Sequence, residues 1–312
     1  MSFKIVRGDC EQVLKTLSPD CIDAVVTDPP YNIDSILKRF GGKNKKAKGG
    51  EDGAFSRMSD KFLGKDWDTE IALLPDFWRE VYRVLKPGGL LVSFASVNKY
   101  HKLAQAVEDA GFSIKTMIAW IYGTGNPMGR YLDKELLKKG LLKKANEVTG
   151  FHNRLKPAIE PILVAYKPFK GSMADNYLKY GVAGCFNVGA CKVNNKFPTN
   201  VIMQKKKQIE QELQRQIGKD AQKVSSFFYC PKPTKKEKGD SKHPTVKPER
   251  LMRYLIRLVS KKDAIVLDPF SGSGTTIVSA VKEGRKAFGI EKDTEYFSEM
   301  KTRLKALRGN NA

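Results

Sequence analysis

Ile22-Asp23-Ala24-Val25-Val26-Thr27-Asp28-Pro29-Pro30-Tyr31 joins a β-branched apolar run to a carboxylate and two prolines. Such a run predicts a buried strand that stops abruptly. Proline cannot extend a sheet ladder, and it pushes the residue before it out of helical space. Asp28 and its neighbouring carbonyls are therefore expected at the carboxyl end of a strand, facing a crevice. In open α/β sheets that rim is where ligands bind. Tyr31 adds a flat aromatic face beside these acceptors, a combination that suits a planar base carrying an exocyclic amino group.

A second strand-to-turn junction stands near the other end of the chain. Ile265-Val266-Leu267 leads into Asp268-Pro269-Phe270-Ser271-Gly272-Ser273-Gly274-Thr275-Thr276, which opens a helix. Glycines at such a turn let a ligand approach the backbone and expose the unpaired amides of the helix start. A nucleotide P-loop would need a lysine here, and none is present. The dinucleotide fingerprint needs a small third residue, but Ile277 stands there, which disfavours a nicotinamide-dependent enzyme. Glu291 follows the next strand, roughly 20 residues past the glycines, where a carboxylate can take ribose hydroxyls.

Strand and helix alternate outward from both junctions. Strands are predicted at 3–6, 90–94, 114–121, 159–166, 264–267 and 287–290. Helices are predicted at 11–17, 71–85, 100–110, 131–144, 248–260, 274–284 and 296–307, with Gly140 an unfavourable residue inside the fourth. Lys86-Pro87-Gly88-Gly89 is expected to stop the second helix. This rhythm predicts an α/β fold, a doubly wound and mostly parallel sheet. Residues 32–70 lack an apolar period and read as a mobile loop. Its bases Lys38, Arg39, Lys43, Lys45, Lys46 and Lys48 come without an acid among them. Residues 167–240 show scattered Gly, Asn and Pro, and read as an inserted lobe. The expected organisation is a catalytic half over 1–166, the lobe over 167–240 and a cofactor half over 241–312.

The 312 residues carry 56 Lys and Arg against 34 Asp and Glu, a formal charge of +22. So large an excess predicts a polyanionic partner, nucleic acid before an anionic membrane surface. Lys205-Lys206-Lys207 in the lobe is a second cluster that could meet phosphates, although a solvated helix face needs nothing more than such lysines. No apolar run reaches the ~20 residues of a bilayer span. Met1 to Arg7 has a strand pattern, not that of a signal peptide. Five cysteines without a Cys-x-x-Cys pair suggest reduced thiols in a cytoplasmic protein, with neither a disulfide frame nor a metal site.

Asp28-Pro29-Pro30-Tyr31 resembles the catalytic motif of S-adenosylmethionine-dependent amino-methyltransferases that act on DNA bases. Asp268 to Thr275 with Glu291 resembles the cofactor site of the same enzymes. His243-Pro244-Thr245-Val246-Lys247-Pro248 is similar to the segment that closes over the methionine moiety. Gly8-Asp9-Cys10 matches the position whose carboxylate meets the cofactor adenine, and Arg83 to Gly89 is a phrase common among methyltransferases. The catalytic strand precedes the cofactor strand, with the lobe between them, which is the permuted order of the β class. The resemblance implies a Rossmann-like methyltransferase fold in circularly permuted order with an inserted target-recognition lobe. It implies S-adenosylmethionine held by Asp9, Cys10, Asp28, His243, Thr245, Lys247, Asp268, Phe270, Ser271, Gly272, Ser273, Gly274, Thr275, Glu291 and Lys292. Catalysis would fall to Asp28, Pro29, Pro30 and Tyr31, and DNA contact to the two basic clusters.

Asp28 in first position resembles the adenine-N6 subgroup, since cytosine-N4 enzymes more often carry serine there. The implied activity is sequence-specific methylation of adenine N6 in double-stranded DNA, with the base flipped out of the duplex. A cytosine-N4 enzyme is the nearest rival, followed by an RNA methyltransferase and by a DNA-binding protein with a dead site. Neither a homodimer nor a cognate restriction endonuclease is decided by the residues. Cys230-Pro231 reverses the Pro-Cys nucleophile of cytosine-C5 enzymes, so covalent catalysis is not expected.

Overall fold

The computed structural model describes residues 3–31, 70–122, 129–203, 228–233 and 246–309. The basic clusters at 38–48 and 205–207, together with His243 and Thr245, lie outside the described residues, as does all of 32–70 except Glu70. Strand β1 (Phe3–Arg7) leads to helix α1 (Cys10–Lys15), whose second amide is capped by Asp9: its Oδ1 accepts from Glu11 N at 3.0 Å. Strand β2 (Ile22–Thr27) is buried at all six positions. Beyond a 3-10 turn at Ile71–Leu73 come α2 (Pro75–Val84), β3 (Leu85–Phe94), α3 (Tyr100–Asp109) and β4 (Ser113–Ile121). Helices α4 (Leu132–Leu137) and α5 (Leu142–Glu147) precede β5 (Ile159–Tyr166) and α6 (Met173–Tyr180). Strands β6 (Val201–Met203) and β7 (Phe228–Tyr229) follow. The chain then runs through α7 (Glu249–Val259), β8 (Ile265–Asp268), α8 (Thr275–Lys282), β9 (Lys286–Glu291) and α9 (Thr294–Gly309).

All nine of these strands form one sheet in the order β1-β9-β8-β2-β3-β5-β4-β6-β7. Only β5 runs against its neighbours, pairing antiparallel with β3 and β4. The chain leaves β2 toward β3 and leaves β8 toward β9, so strand order reverses between β8 and β2. That switch point is where a crevice opens in doubly wound sheets. Both faces of the sheet are covered. Ala24, Val26, Leu90 and Val92 pack against Leu251, Leu255, Ile277 and Met300 of α7 to α9 on one side. Val25 and Leu91 pack against Leu14, Phe77, Trp78, Val81 and Leu103 of α1 to α3 on the other. Burial on two sides explains why β2 is a continuous apolar run without polar alternation. Each fully buried Val, Leu or Ile contributes about 1.5–3 kcal/mol. Among the described residues no helix is long and apolar enough to cross a membrane.

Several expectations need correcting. Leu85-Lys86-Pro87-Gly88-Gly89 does more than stop a helix: it is already strand, and the pairing of β2 with β3 shifts register there. Gly88 has φ +81°, and a Cβ on it would lie 2.5 Å from Asn176 Nδ2. That amide is needed, because it donates to Pro87 O at 2.9 Å and to Val182 O at 2.7 Å. The helix expected over 131–144 is two short helices broken at Gly140, φ +74°. Strand β5 lies inside the sheet, between β3 and β4. The described part of 167–240 supplies β6 and β7 to this same sheet.

Candidate active site

Four acids line the carboxyl rim of the four adjacent parallel strands β1, β9, β8 and β2. Asp9 lies two residues beyond β1, Glu291 ends β9, Asp268 ends β8, and Asp28 follows β2. Neighbouring strands are ~4.8 Å apart, so the row spans roughly 14 Å. The two junctions singled out in the sequence meet here. Thr27 Oγ1, fully buried, donates to Asp268 Oδ1 at 2.7 Å across 241 positions of chain.

Asp28 sits in a partly buried ionic cluster. Tyr31 Oη lies 2.7 Å from Asp28 Oδ1 and 2.6 Å from Glu160 Oε1. Lys247 Nζ donates to Asp28 Oδ2 at 2.5 Å, and it lies 3.0 Å from Glu160 Oε1 and 3.3 Å from Tyr31 Oη. The ammonium also sits 4.8 Å from the Phe94 ring centre and 5.4 Å from that of Tyr31. Burial pushes the Asp28 carboxyl above its ordinary value, Lys247 opposes that shift, and Glu160 adds to it. Burial alone would depress the Lys247 ammonium, but the charges of Asp28 and Glu160 outweigh it and hold the group charged. The Tyr31 phenol is kept neutral by burial and by the same two carboxylates.

The glycine turn is built around Asp268. Its carboxyl is pushed up to about 6 by burial, against hydrogen bonds from Thr27, Thr276 and the Phe270 amide. Phe270 N donates to Oδ1 at 3.0 Å, and Ser271 Oγ donates to the Asp268 carbonyl at 2.9 Å. Glu291 Oε2 accepts from Gly272 N, and Oε1 from Asp293 N, both at 2.7 Å. Burial raises its pKa, and these amides restrain the rise. A carboxylate oxygen has room for two donors, so each oxygen keeps one free direction for a hydroxyl. Asp9 has Lys292 Nζ at 4.0 Å from its Oδ2.

Not every residue named from the sequence faces this rim. The Cys10 thiol turns into the core, where burial raises it to about 12. Phe270 packs on Phe77, ring centres 5.0 Å apart. The hydroxyls of Ser273 and Thr275 accept from Arg303 of α9 at 3.2 and 3.1 Å. Gly274 must be glycine for a packing reason as well as for its φ of +85°, since a Cβ would lie 2.5 Å from Met300 Cγ. Lys247, expected over the cofactor, lies against Asp28. Glu160 was not singled out at all. Its one sequence signal is an acid at the head of the apolar run 159–165, where a strand entering the core has no use for a charge.

Comparison with known proteins gives a consistent set of likenesses. The N6/N4 methyltransferase family model, described as DNA methylase, matches residues 22–302. The type II methyltransferase M.HindIII of Haemophilus influenzae is 30% identical over 98% of this chain and 96% of its own length. M2.LlaDCHI of Lactococcus lactis subsp. cremoris is 27% identical over 96% of this chain and 88% of its own length. The crystal structure of the M1.HpyAVI complex with S-adenosylmethionine aligns with a TM-score of 0.52 at 22% identity, over 97% of this chain and 100% of that one. The PvuII DNA methyltransferase, named as cytosine-N4-specific, aligns with a TM-score of 0.54 at 18% identity, over 97% and 86%. At those identities the structural likeness is one of fold.

Proposed function

The chain belongs to the DNA methylase family whose model spans nine-tenths of it, and from that premise we propose that it methylates adenine N6 in double-stranded DNA, using S-adenosylmethionine. One observation carries the reading: the Thr27–Asp268 bond of 2.7 Å sets the Asp28 cluster and the glycine turn side by side at one switch point. The donor set fits the cofactor. A row of acceptors at Asp9, Glu291 and Asp268 suits an amino-purine and ribose hydroxyls, and the amides after Asp268 allow close approach. When bound, S-adenosylmethionine supplies an electrophilic methyl group on a sulfonium. Asp268 and Glu291 hold and orient it.

Asp28 and the Pro29 carbonyl accept the two amino hydrogens of a base taken out of the duplex, and Tyr31 packs against the base. These acceptors favour a pyramidal, more nucleophilic nitrogen. Positive charge that develops on that nitrogen meets a preorganised cluster of net charge −1, the sum of Asp28, Glu160 and Lys247. Alignment of the reactants can contribute a further ~7–11 kcal/mol. The excess of 56 bases over 34 acids draws the polyanion to the protein. On the same reading the chain is the modification half of a restriction–modification pair and works in the cytoplasm.

The test is direct. Asp28→Asn should abolish transfer of labelled methyl to unmethylated plasmid DNA, with S-adenosylmethionine affinity by calorimetry within a few-fold of wild type. Near-normal turnover would refute the assignment of Asp28. Nucleoside analysis of the digested product should show N6-methyladenine, and N4-methylcytosine in its place would overturn the choice of base. Reversing the charges of Lys43, Lys45, Lys46 and Lys48 should flatten the log–log salt dependence of DNA binding, which falls by about 0.9 per phosphate neutralised.

A further inference from the structure

The Tyr31 hydroxyl has one hydrogen and two carboxylate oxygens within reach, Asp28 Oδ1 at 2.7 Å and Glu160 Oε1 at 2.6 Å. Asp28 has both of its oxygens in use, one by Tyr31 and one by Lys247. An amino group that approaches Asp28 Oδ1 competes there with the Tyr31 hydroxyl, whose single hydrogen can turn to Glu160 instead. If Tyr31 had no second acceptor, that exchange would leave its hydroxyl unpaired in a buried site, at the cost of a lost hydrogen bond to a charged group. Glu160 supplies the second acceptor. The same oxygen, Oε1, also faces the Lys247 ammonium at 3.0 Å.

The topology explains how so distant a residue arrives there. Strand β5 is the one antiparallel strand of the nine, so its first residues lie at the rim where its neighbours end. Glu160 pairs in register with Trp120, two positions before Tyr122. Its side chain is 13% exposed, and those of Asp28 and Lys247 are 18% and 8% exposed.

We propose that Glu160 is a positioning residue of the active site: it retains the Tyr31 hydroxyl and the Lys247 ammonium while Asp28 exchanges the hydroxyl for the amino group of the target base. The inference rests on the reading of Asp28 as acceptor for that amino group. Glu160 acts through Tyr31 and Lys247 and has no contact of its own with the reacting atoms. Its charge has a second effect. Among the described residues the charged or titratable groups around Asp28 are Lys247, Glu160, Tyr31, Tyr122 and Asp268. Glu160 is the neighbour whose charge raises Asp28, so its removal lowers the pH at which Asp28 ionises.

The experiment is methyl transfer to unmethylated plasmid DNA by Glu160→Ala, Glu160→Gln, Tyr31→Phe and the Glu160→Ala/Tyr31→Phe double variant, each across pH 5.5–9. Glu160→Ala should lower kcat by about ten- to hundredfold, the worth of a hydrogen bond to a charged group. S-adenosylmethionine affinity should stay within twofold. Glu160→Gln keeps an acceptor at Oε1 and should recover most of kcat, yet its acid limb should move to lower pH because the charge is gone. In the Tyr31→Phe background Glu160→Ala should cost little more, since both act on one hydroxyl. Wild-type kcat in Glu160→Ala, full additivity with Tyr31→Phe, or an unmoved acid limb in Glu160→Gln would each overturn the proposal. Should Glu160→Ala fail to fold, the acid limb of Glu160→Gln decides it. Asp28→Asn run beside them separates the two readings: if it is inactive while Glu160→Ala is normal, only this inference falls.

Discussion

Asp268→Asn should make the folded chain more stable and the protein useless. Asp268 is 1% exposed, and burial pushes its carboxyl up to about 6 from the ordinary 3.8. About two pH units at roughly 1.4 kcal/mol each means that ionising it in the folded chain costs about 3 kcal/mol. The folded-state pKa lies above the unfolded one, so the stability is present below pH 3.8 and is lost as pH rises through 6. Asparagine cannot ionise and escapes that loss. Its amide oxygen can still accept from Thr27 Oγ1 and Phe270 N, the two donors to Oδ1. Its amino group cannot accept, so one accepted bond, such as that from Thr276, would be sacrificed, which offsets about 1 kcal/mol. The net expectation is a gain of roughly 2 kcal/mol at pH 7.5 and a slight loss at pH 4. Urea unfolding of both chains at the two pH values measures the difference. Affinity for S-adenosylmethionine, measured by calorimetry on the same samples, should fall by at least an order of magnitude. Equal stability of the two chains at pH 7.5 would refute the claim that this carboxylate is held at the rim against its own burial cost.

Two further substitutions probe the same rim. Lys247→Met leaves Asp28 and Glu160 as buried carboxylates without their cation, which should cost about 3–5 kcal/mol of stability at pH 8. The surviving activity should have its acid limb at higher pH, because Lys247 is the group that lowers Asp28; an acid limb that stays put would show Asp28 is not governed by that ammonium. Gly274→Ala puts a Cβ 2.5 Å from Met300 Cγ at a φ of +85°. The expected loss is about 2–4 kcal/mol from strain and overpacking together. Pairing it with Met300→Ala should remove the overpacking share only, which thermal unfolding of the three variants would measure.

How much of this could be read in advance depends on how far apart in the chain the cause and its effect lie. Strand β2 was legible because burial on two faces demands an unbroken apolar run, and Pro29 and Pro30 end it whatever the rest does. The turn after Asp268 was legible for the same local reason. Glu160 was not. An acid opening an apolar strand carries no mark of direction, and only pairing against β3 and β4 turns it to the rim that holds Asp28. Lys247 was read as part of a clasp over the cofactor, since nothing within six residues of it predicts a carboxylate 219 positions away. Ser273 and Thr275 look like ligand donors in a glycine turn, yet Arg303 occupies them from a helix whose packing no local pattern describes. The Pro87-Gly88-Gly89 stretch misleads in another way. Glycine and proline usually punctuate, but here a register shift and the Asn176 amide absorb them into a strand.

The row of acids raises a question of charge that calorimetry can answer. A protein of formal charge +22 has gathered Asp9, Glu291, Asp268, Asp28 and Glu160 along one rim. They repel one another: Asp28 raises Asp268, and Asp268 in turn raises Glu291. Asp268, with its carboxyl near 6, can hold a proton at mildly acid pH and so lessen that repulsion. A ligand of net positive charge should relieve the repulsion, lower these pKa values and bind with release of protons. S-adenosylmethionine, titrated at pH 6 in two buffers of different ionisation heat, should therefore release up to about half a proton per molecule bound. Release should shrink at pH 8, where Asp268 is already ionised, and vanish in Asp268→Asn. Proton uptake at pH 6, or an enthalpy independent of buffer, would mean that the cation is held elsewhere and that the acids at these strand ends serve the fold alone.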